Sequence, residues 1–265
     1  MHSWIVDTFA DDVYDGNPAA VIVEAGGFPP TASMQAIAAS IALPTTAFVV
    51  PGEPGRYRIR WFTPEKEINL CGHATIASAG YLFQAGGASA PVRLCFQWAG
   101  GELIARREGA SIVLSLPQLP ASPCEPVAGL DEALGADIVY YARAADDILV
   151  GVESEDVVAA LEPDFDRLRR FDCRGHIVTA PSCNATIDFV SRTFFPALGV
   201  NEDQVCVSAH CKLGPYWAER LQKQRLSAVQ LSQRGGRLVL DVVDGRVDVA
   251  GTAIVRQALA VHVNA

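Results

Sequence analysis

Hydrophobic and polar positions alternate along much of the chain, which is typical of strands with one buried face. The alternation predicts strands at residues 5–9, 19–23, 46–50, 57–62 and 111–116, and again at 174–181, 185–192, 237–243 and 246–252. Residues 31–41 instead place their apolar side chains on one helical face, which predicts an amphipathic helix. Strands outnumber helices, so the pattern predicts an α+β fold.

Two segments interrupt this alternation with largely apolar helices, and a cysteine lies at or just before the start of each helix. The first follows Cys71 and has no charged side chain between His73 and Gly86. The second follows Cys206, and a similar aromatic and proline run precedes both, at residues 61–64 and 194–196. A helix without a polar stripe is expected to be buried on most sides. The pattern therefore predicts a degenerate internal repeat with one central helix in each half.

The densest proline segment, residues 117–123, lies near the middle of the chain. It predicts a boundary between an N-terminal domain, residues 1–118, and a C-terminal domain, residues 119–265. Each domain is expected to be a β-barrel wrapped around its own central α-helix. The last strands of the chain are free to cross back to the first domain.

Composition and charge narrow the class of partner. Half of the 265 residues are hydrophobic and 19% are charged, which is typical of a globular protein. A net charge of −9 without any basic run argues against binding to nucleic acid or to a membrane surface. The first residues do not resemble a signal peptide, and no apolar stretch is long enough to span a bilayer. We therefore expect a cytoplasmic protein that acts on a small molecule.

The seven cysteines do not have the spacing of a zinc site, so no metal is predicted. Cys95 and Cys183 lie in apolar runs and are predicted to be buried, reduced thiols. Cys71 and Cys206 differ, because each precedes a helix whose free N–H groups favour an anion and lower the pKa of a thiol. We interpret the two helix starts as candidate parts of an active site.

Short motifs run along nearly the whole chain. They are Val-Asp-Thr-Phe at 6–9, Gly-Asn-Pro-Ala-Ala-Val at 16–21, Trp-Phe-Thr-Pro at 61–64, Leu-Cys-Gly-His-Ala-Thr at 70–75, Asp-Phe-Val-Ser-Arg at 188–192, Ser-Ala-His at 208–210 and Pro-Tyr-Trp-Ala-Glu-Arg at 215–220. Their order resembles the phenazine-biosynthesis PhzF-like family, which belongs to the diaminopimelate-epimerase fold. The resemblance implies two pseudo-symmetric domains with an active site in the cleft where both helix N-termini meet. It also implies proton transfer at carbon without a cofactor, and a homodimer.

The chain departs from the family pattern at the position of the usual general acid/base. The family commonly has Leu-Ser-Glu-Thr where this chain has Leu-Pro-Thr-Thr at 43–46, so Thr45 occupies the place of the glutamate. A hydroxyl cannot take a carbon-bound proton at neutral pH. In the second helix motif, Cys206 replaces a threonine and Val207 replaces a glycine. Epimerases and proline racemases of this fold use one cysteine at each helix start, and Cys71 and Cys206 match those positions; alternatively, both are small packing residues.

The resemblance also implies roles for other residues. His73 would contact the substrate with acid/base capability, and Asp203 would orient the substrate or relay protons. Ser208 would cap its helix and bind a substrate carboxylate, while His210 would be structural. The remaining substrate-binding assignments are Thr45, the backbone N–H groups of Gly72, Val207 and Ser208, which would face a carboxylate or enolate oxygen, and a substrate-facing amide at Asn17.

The leading hypothesis is a cofactor-independent isomerase of specialised, antibiotic-type metabolism. It would move a proton alpha to a carboxylate, or along a conjugated system, of a small cyclic or amino-acid-like metabolite. The proton carriers would be Cys71 and Cys206, or His73 and Asp203. One alternative is a two-thiol amino-acid racemase or epimerase. The other is a catalytically lapsed ligand-binding or scaffold protein, because Thr45 lacks a carboxylate and Val207 crowds a glycine position.

Overall fold

Strands dominate both described parts of the chain, residues 2–87 and 92–259 of a computed structural model. These residues form two units: one contains the residues up to Ser115 together with those from Ala250 onward, and the other contains Leu116–Val249. The division lies close to the proline segment at 117–123. Residues 260–265, which the sequence assigned to the second domain, lie outside the described residues.

The elements follow one another in this order. Up to residue 117 they are β1 (His2–Thr8), β2 (Asn17–Val23), α1 (Thr31–Ile41), β3 (Thr45–Pro51), β4 (Arg56–Phe62), β5 (Glu67–Ile68), α2 (Gly72–Gly86), β6 (Arg93–Trp98), β7 (Gly101–Glu108) and β8 (Ser111–Pro117). From residue 122 they are β9 (Ser122–Pro123), α3 (Leu130–Leu134), β10 (Tyr140–Ala144), β11 (Asp147–Gly151), α4 (Glu155–Ala159), α5 (Phe165–Leu168), β12 (Gly175–Pro181), β13 (Phe189–Phe195), a 3-10 turn (Pro196–Leu198), β14 (Val200–Asp203), α6 (Val207–Leu221), β15 (Arg225–Gln230), β16 (Gly236–Val243), β17 (Arg246–Gly251) and β18 (Ala253–Ala258).

In the first unit the strands surround α2. β1 and β2 form an antiparallel hairpin, and α1 carries the chain across so that β3 lies parallel to β2. β3 and β4 form a second hairpin, and α2 then leads to β6, which is parallel to β4 and continues into β7 and β8. The last described strand, β18, returns to pair with β1. α2 packs against β1, β2, β3, β7 and β18, and all its residues from His73 to Gly80 are buried, as the absence of a polar stripe predicted.

The second unit repeats the same order of connections. β10 and β11 form a hairpin, α4 and α5 cross over, and β12 lies parallel to β11. β12 and β13 form the next hairpin, α6 follows, and β15 is parallel to β13 and antiparallel to β16. α2 and α6 each have 15 residues, and each has a cysteine in extended backbone conformation as its N-cap. The repeat inferred from the two cysteine motifs thus has a counterpart in strand order.

α6 contains a proline in its interior, and the backbone carbonyl that the proline cannot serve has another hydrogen-bond donor. Pro215 has no N–H, so the carbonyl of Cys211, four residues earlier, lacks its usual helical donor. That carbonyl accepts a hydrogen bond of 3.0 Å from the N–H of Leu119 instead. The proline-rich segment is thereby attached to the central helix of its own unit.

Two local predictions were wrong. Ser208 does not cap α6: the N-cap is Cys206, no side chain caps the helix, and Ser208 is its second residue. Cys183 is exposed rather than buried, because it lies in the loop between β12 and β13, where its N–H donates to Glu155. Among the described helices none is long and apolar enough to cross a membrane.

Candidate active site

Thr45, Cys71 and His73 come together at the start of α2. The sulfur of Cys71 lies 3.5 Å from Thr45 Oγ1, to which the thiol donates, and 3.4 Å from His73 Nδ1. All three side chains are buried. We call these residues, with Gly72, the Cys71 cluster.

The local chain explains why they meet. Cys71 is extended, and its carbonyl accepts hydrogen bonds from the N–H and the hydroxyl of Thr75, at 3.1 and 2.7 Å, which fixes the first turn of α2. Gly72 and His73 are the first two helical residues, so the imidazole lies over the sulfur. Thr45 opens β3, and the parallel register sets it opposite Ala19, so that Asn17, the first residue of β2, lies at the same end of the sheet. Asn17 is fully buried, and its carbonyl accepts a hydrogen bond from Thr8.

This arrangement supplies acid/base chemistry without a carboxylate at position 45. An imidazole within hydrogen-bond distance of a thiol can take its proton, and a neighbouring hydroxyl can then donate to the thiolate. A buried site strengthens both interactions, because the local dielectric is low. The Cys71 cluster can therefore carry a proton, although Thr45 by itself cannot.

The start of α6 forms a second group, the Cys206 cluster of Asp203, Cys206, Val207 and Ser208. The sulfur of Cys206 lies 3.3 Å from Ser208 Oγ. The backbone carbonyl of Cys206 accepts hydrogen bonds from the N–H of His210, at 3.3 Å, and from His210 Nδ1, at 2.7 Å. His210 thus donates to the carbonyl of the N-cap cysteine of α6, as Thr75 does to that of α2. Burial lowers the pKa of His210 to about 4, and the ring stacks on Phe189, which supports the structural role expected for it.

The pKa of Cys206 shifts against the sequence-based expectation. Burial, followed by the negative charge of Asp203, raises the pKa of the thiol well above its ordinary value. Arg174 and the Ser208 hydroxyl act in the opposite direction but do not outweigh burial. The helix N-terminus therefore does not make Cys206 a thiolate at neutral pH; the structure keeps this thiol protonated.

Gln230, at the end of β15, was not selected from the sequence but fixes the approach to α6. Its Oε1 accepts the N–H of Cys206 at 2.9 Å, while its Nε2 donates to Thr193 Oγ1 at 3.0 Å and to the carbonyl of Asp203. The side chain is fully buried. Because a glutamine in a strand pattern is usually solvent-facing, nothing in the local sequence distinguishes it.

A buried network of ion pairs was also not predicted from the sequence. Arg174 and Lys212 both pair with Asp147, and Arg174 donates to Ser208 as well. Among the described residues no group of three or more His, Cys, Asp or Glu side chains is placed to hold a metal ion.

Comparisons with known proteins agree with these features. The family of phenazine biosynthesis-like proteins, PhzC-PhzF, matches residues 6–258. An uncharacterized isomerase of Pseudomonas aeruginosa is 48% identical over 257 residues, which are 97% of each chain. The crystal structure of a PhzF-family phenazine biosynthesis protein from Enterococcus faecalis is 41% identical, covers 97% of this chain and 98% of its own, and superposes with a TM-score of 0.91.

A more distant likeness concerns the fold alone. A probable proline racemase of Agrobacterium radiobacter is only 10% identical, yet it covers 100% of this chain and 94% of its own with a TM-score of 0.63. The chain therefore belongs to the PhzC-PhzF family of phenazine biosynthesis-like proteins, a PhzF-like isomerase family whose α+β fold is also that of the proline racemases.

Proposed function

We propose that this protein is a cofactor-independent isomerase that moves a proton alpha to a carboxylate, or along a conjugated system, in a small cyclic or amino-acid-like metabolite. The supporting observation is the Cys71 sulfur, 3.4 Å from His73 Nδ1 and 3.5 Å from Thr45 Oγ1. It offers a proton carrier in a family member that has Thr45 in place of the usual glutamate. The thiol–imidazole pair takes over the task of the missing carboxylate.

The proposed reaction transfers one proton and leaves no net redox change. His73 takes the thiol proton of Cys71, and the resulting thiolate removes a proton from the substrate carbon. The electron pair of that C–H bond moves toward the neighbouring carboxyl or conjugated group, which becomes enolate-like. A proton then returns to a different carbon, or to the other face of the same carbon, and the thiol and neutral imidazole are restored.

The other candidate residues bind the substrate or donate the proton. The amide of Asn17 and the backbone N–H groups of Gly72, Val207 and Ser208 would hold the carboxylate and stabilise the enolate-like oxygen. Because burial keeps the thiol of Cys206 protonated, we assign it the acid role; Asp203 relays a solvent proton back to Cys206, while the proton that His73 took from Cys71 is released to solvent. His73 with Asp203 is the alternative proton pair.

A two-thiol amino-acid racemase or epimerase is the second candidate. It is favoured by the paired construction, in which each unit presents a cysteine as the N-cap of a 15-residue helix. Such an enzyme needs one thiolate and one thiol at a time, and the protonated Cys206 meets the second condition. The two candidates differ in where the proton returns.

Solvent deuterium incorporation tests both candidates. The protein is incubated in D2O with a panel of cyclic amino acids and unsaturated cyclic carboxylates, and proton NMR and mass spectrometry locate the deuterium. Deuterium at a second carbon with a shifted double bond supports the isomerase, whereas deuterium at the alpha carbon with loss of optical purity supports the racemase. Ligand-induced thermal stabilisation without exchange of any carbon-bound proton supports a binding protein and overturns the proposal.

Variants locate the proton carrier. Cys71→Ser and His73→Gln are expected to lower the exchange rate by a factor of about 100 or more, the usual contribution of a general base. Cys95→Ser is the matched control, because Cys95 is a buried thiol of the same unit that lies on β6 outside the Cys71 cluster. Full exchange in Cys71→Ser would contradict the assignment. Homodimer formation, a cytoplasmic location and a place in antibiotic biosynthesis stay predictions.

A further inference from the structure

A buried network of opposite charges lies beside the start of α6. Arg174 Nε and Nη2 donate to the two carboxylate oxygens of Asp147, at 2.8 and 2.5 Å. Lys212, within α6, pairs with the same carboxylate. The side chains of Asp147 and Lys212 are only 0% and 1% exposed, so these charges are largely removed from water.

The network contains two cations and two carboxylates of unequal burial, and the Arg174 side chain is 28% exposed. Two cations share one buried carboxylate; Asp146 lies 3.4 Å from Arg174 and 3.6 Å from Lys212, but 62% of its side chain is exposed to solvent. Burying an ion pair seldom stabilises a fold more than apolar packing would. The network thus calls for a role other than stability.

The remaining hydrogen bond of Arg174 indicates that role. Nη2 donates to Ser208 Oγ at 3.3 Å, and Ser208 Oγ lies 3.3 Å from the sulfur of Cys206. A guanidinium has donors and no acceptor, so Ser208 can only accept from it. The Ser208 hydroxyl can therefore donate its proton in a hydrogen bond to the Cys206 sulfur. The nearby guanidinium makes that hydroxyl a better hydrogen-bond donor and a poorer acceptor.

The first unit has a simpler version of the same arrangement. β3 relates to β2 as β12 relates to β11, and Thr45, the first residue of β3, contacts the N-cap sulfur of α2 directly. The first residue of β12 is Gly175, where an added Cβ would lie 2.1 Å from the ring of Phe195. No side chain fits there. The preceding residue, Arg174, reaches the helix start instead, with its guanidinium 5.0 Å from the centre of the Phe195 ring.

We propose that Arg174 is a positioning residue that acts through Ser208 to stabilise the thiolate left when Cys206 gives up its proton, while Asp147 and Lys212 hold the guanidinium in place. We call the hydrogen bonds from Arg174 to Ser208 and from Ser208 to Cys206 the relay. Its part in catalysis rests on the proposed function, whereas the hydrogen bonds themselves are independent of that function. Arg174 and the Ser208 hydroxyl both lower the pKa of Cys206, against burial and the charge of Asp203.

The test measures thiolate formation at Cys206 without any substrate. Native protein is treated with iodoacetamide at several alkaline pH values, and mass spectrometry gives the alkylation rate at each cysteine. Cys211 is the internal reference, since it lies in the same helix and is buried, with its pKa raised by burial to about 12. Local opening of α6 would expose both thiols. The ratio of the Cys206 alkylation rate to the Cys211 alkylation rate therefore corrects for such opening.

Ser208→Ala breaks the relay and leaves the ion network intact. We expect it to lower the ratio of Cys206 to Cys211 alkylation about tenfold, which corresponds to one pKa unit, and Ser208→Thr to restore the ratio. Arg174→Gln is expected to act like Ser208→Ala, with Arg174→Lys in between. Arg225→Gln, which removes an ion pair to Asp241 elsewhere in the same unit, should leave the ratio unchanged.

A purely structural network gives a different result. Its loss would loosen α6, raise both alkylation rates and leave their ratio unchanged, and that outcome in Ser208→Ala would overturn the proposal. Because the readout needs no substrate, failure of deuterium exchange in the wild-type protein would count against the proposed function and not against the relay.

Discussion

Two adjacent threonines of β3 face different surroundings at the residue scale. Thr45 Oγ1 accepts from the Cys71 thiol, whereas Thr46 Oγ1 is buried and makes no hydrogen bond among the described residues. Successive side chains of a strand point to opposite faces, so a change at one threonine leaves the surroundings of the other intact. The pair offers a matched comparison for the part of the hydroxyl in proton transfer.

Thr45→Val replaces the hydroxyl by a methyl group of similar size. We expect it to lower the deuterium exchange rate about tenfold, because a thiolate at Cys71 loses one hydrogen bond worth roughly 1–1.5 kcal/mol. Thr45→Ser should retain most of the activity. The measurement is the exchange assay on the substrate that the panel identifies, with urea unfolding as a check that stability changes little.

Thr46→Val is the control. It removes a buried hydroxyl without a partner, so the free energy of unfolding is expected to rise by about 1 kcal/mol, with exchange unchanged. Equal losses of exchange in Thr45→Val and Thr46→Val would show that packing of β3, and not the hydroxyl at the sulfur, supports the reaction.

Two buried histidines make stability depend on pH. Burial lowers the pKa of both His176 and His210 to about 4. In the unfolded chain a histidine binds its proton near pH 6.5, so the stability that comes from keeping these rings neutral is fully present above that pH. It is lost progressively as the pH falls from about 6.5 to 4, by an amount on the order of 3 kcal/mol for each ring at most.

Urea unfolding between pH 7.5 and 4.5 measures this dependence. The wild-type free energy of unfolding is expected to fall steadily below pH 6.5, and that of His176→Met to fall less steeply, because only one of the two rings with a lowered pKa then remains. The side chain at 176 contacts Cys173 and Phe171, so a constant offset between the two curves is expected as well. Parallel curves would show that His176 does not contribute.

The sequence could indicate which residues meet when they are close in the chain or tied to a motif. Cys71 and His73 share one helix start, and the family pattern pointed to Thr45. Gln230, Arg174, Asp147 and Lys212 come from separate elements, and their side chains meet only once β11, β12, β15 and α6 are packed. The pKa of Cys206 could not be predicted for the same reason, since it depends on burial more than on the helix start.

At the scale of elements, α2 approaches β18 more closely than side chains normally permit. An added Cβ at Gly80 would lie 2.3 Å from the Cβ of Ala253. Gly80→Ala is therefore expected to destabilise the protein by about 1–3 kcal/mol, the usual cost of overpacking. Ala253→Gly in the same chain should recover part of this loss, which a double-mutant cycle by urea unfolding measures.

Gly26→Ala is the control for that cycle, because among the described residues no atom beyond its two chain neighbours lies within 4 Å of a Cβ added there. It is expected to leave stability nearly unchanged, and to be additive with Ala253→Gly. Additive effects of Gly80→Ala and Ala253→Gly would contradict a direct contact between α2 and β18.

The element pattern was predicted best where the chain is most regular. The alternation gave most long strands, and the two apolar runs gave α2 and α6, both of which the structure contains. The short elements α5 and β14 were not predicted, since four residues carry too little periodicity to separate a strand or helix from a loop. The helix start at Cys206 was displaced by two residues because Ser208 has a stronger capping propensity than cysteine.

At the scale of the whole molecule, the first unit is completed by the end of the chain. β18 pairs with β1, Phe9 donates to the carbonyl of Thr252, and Arg256 forms an ion pair of 2.8 Å with Asp7. The second unit is continuous, from Leu116 to Val249. The two units therefore differ in how much of the chain each needs before it can fold.

This difference predicts unequal behaviour of fragments. A fragment of residues 116–249 is expected to unfold cooperatively in urea, because it contains α6 together with β10–β16 and most of β17. A fragment of residues 1–115 lacks β18, so β1 has an unpaired edge and one side of α2 is uncovered; it is expected to be largely unfolded by circular dichroism.

A peptide of residues 250–259 added in trans should increase the ordered fraction of the 1–115 fragment, and the same peptide with Ala253→Trp, which cannot fit against Gly80, should not. Cooperative unfolding of residues 1–115 without any peptide would contradict the prediction and would show that α2 with β1–β7 and the first five residues of β8 suffices for a stable core.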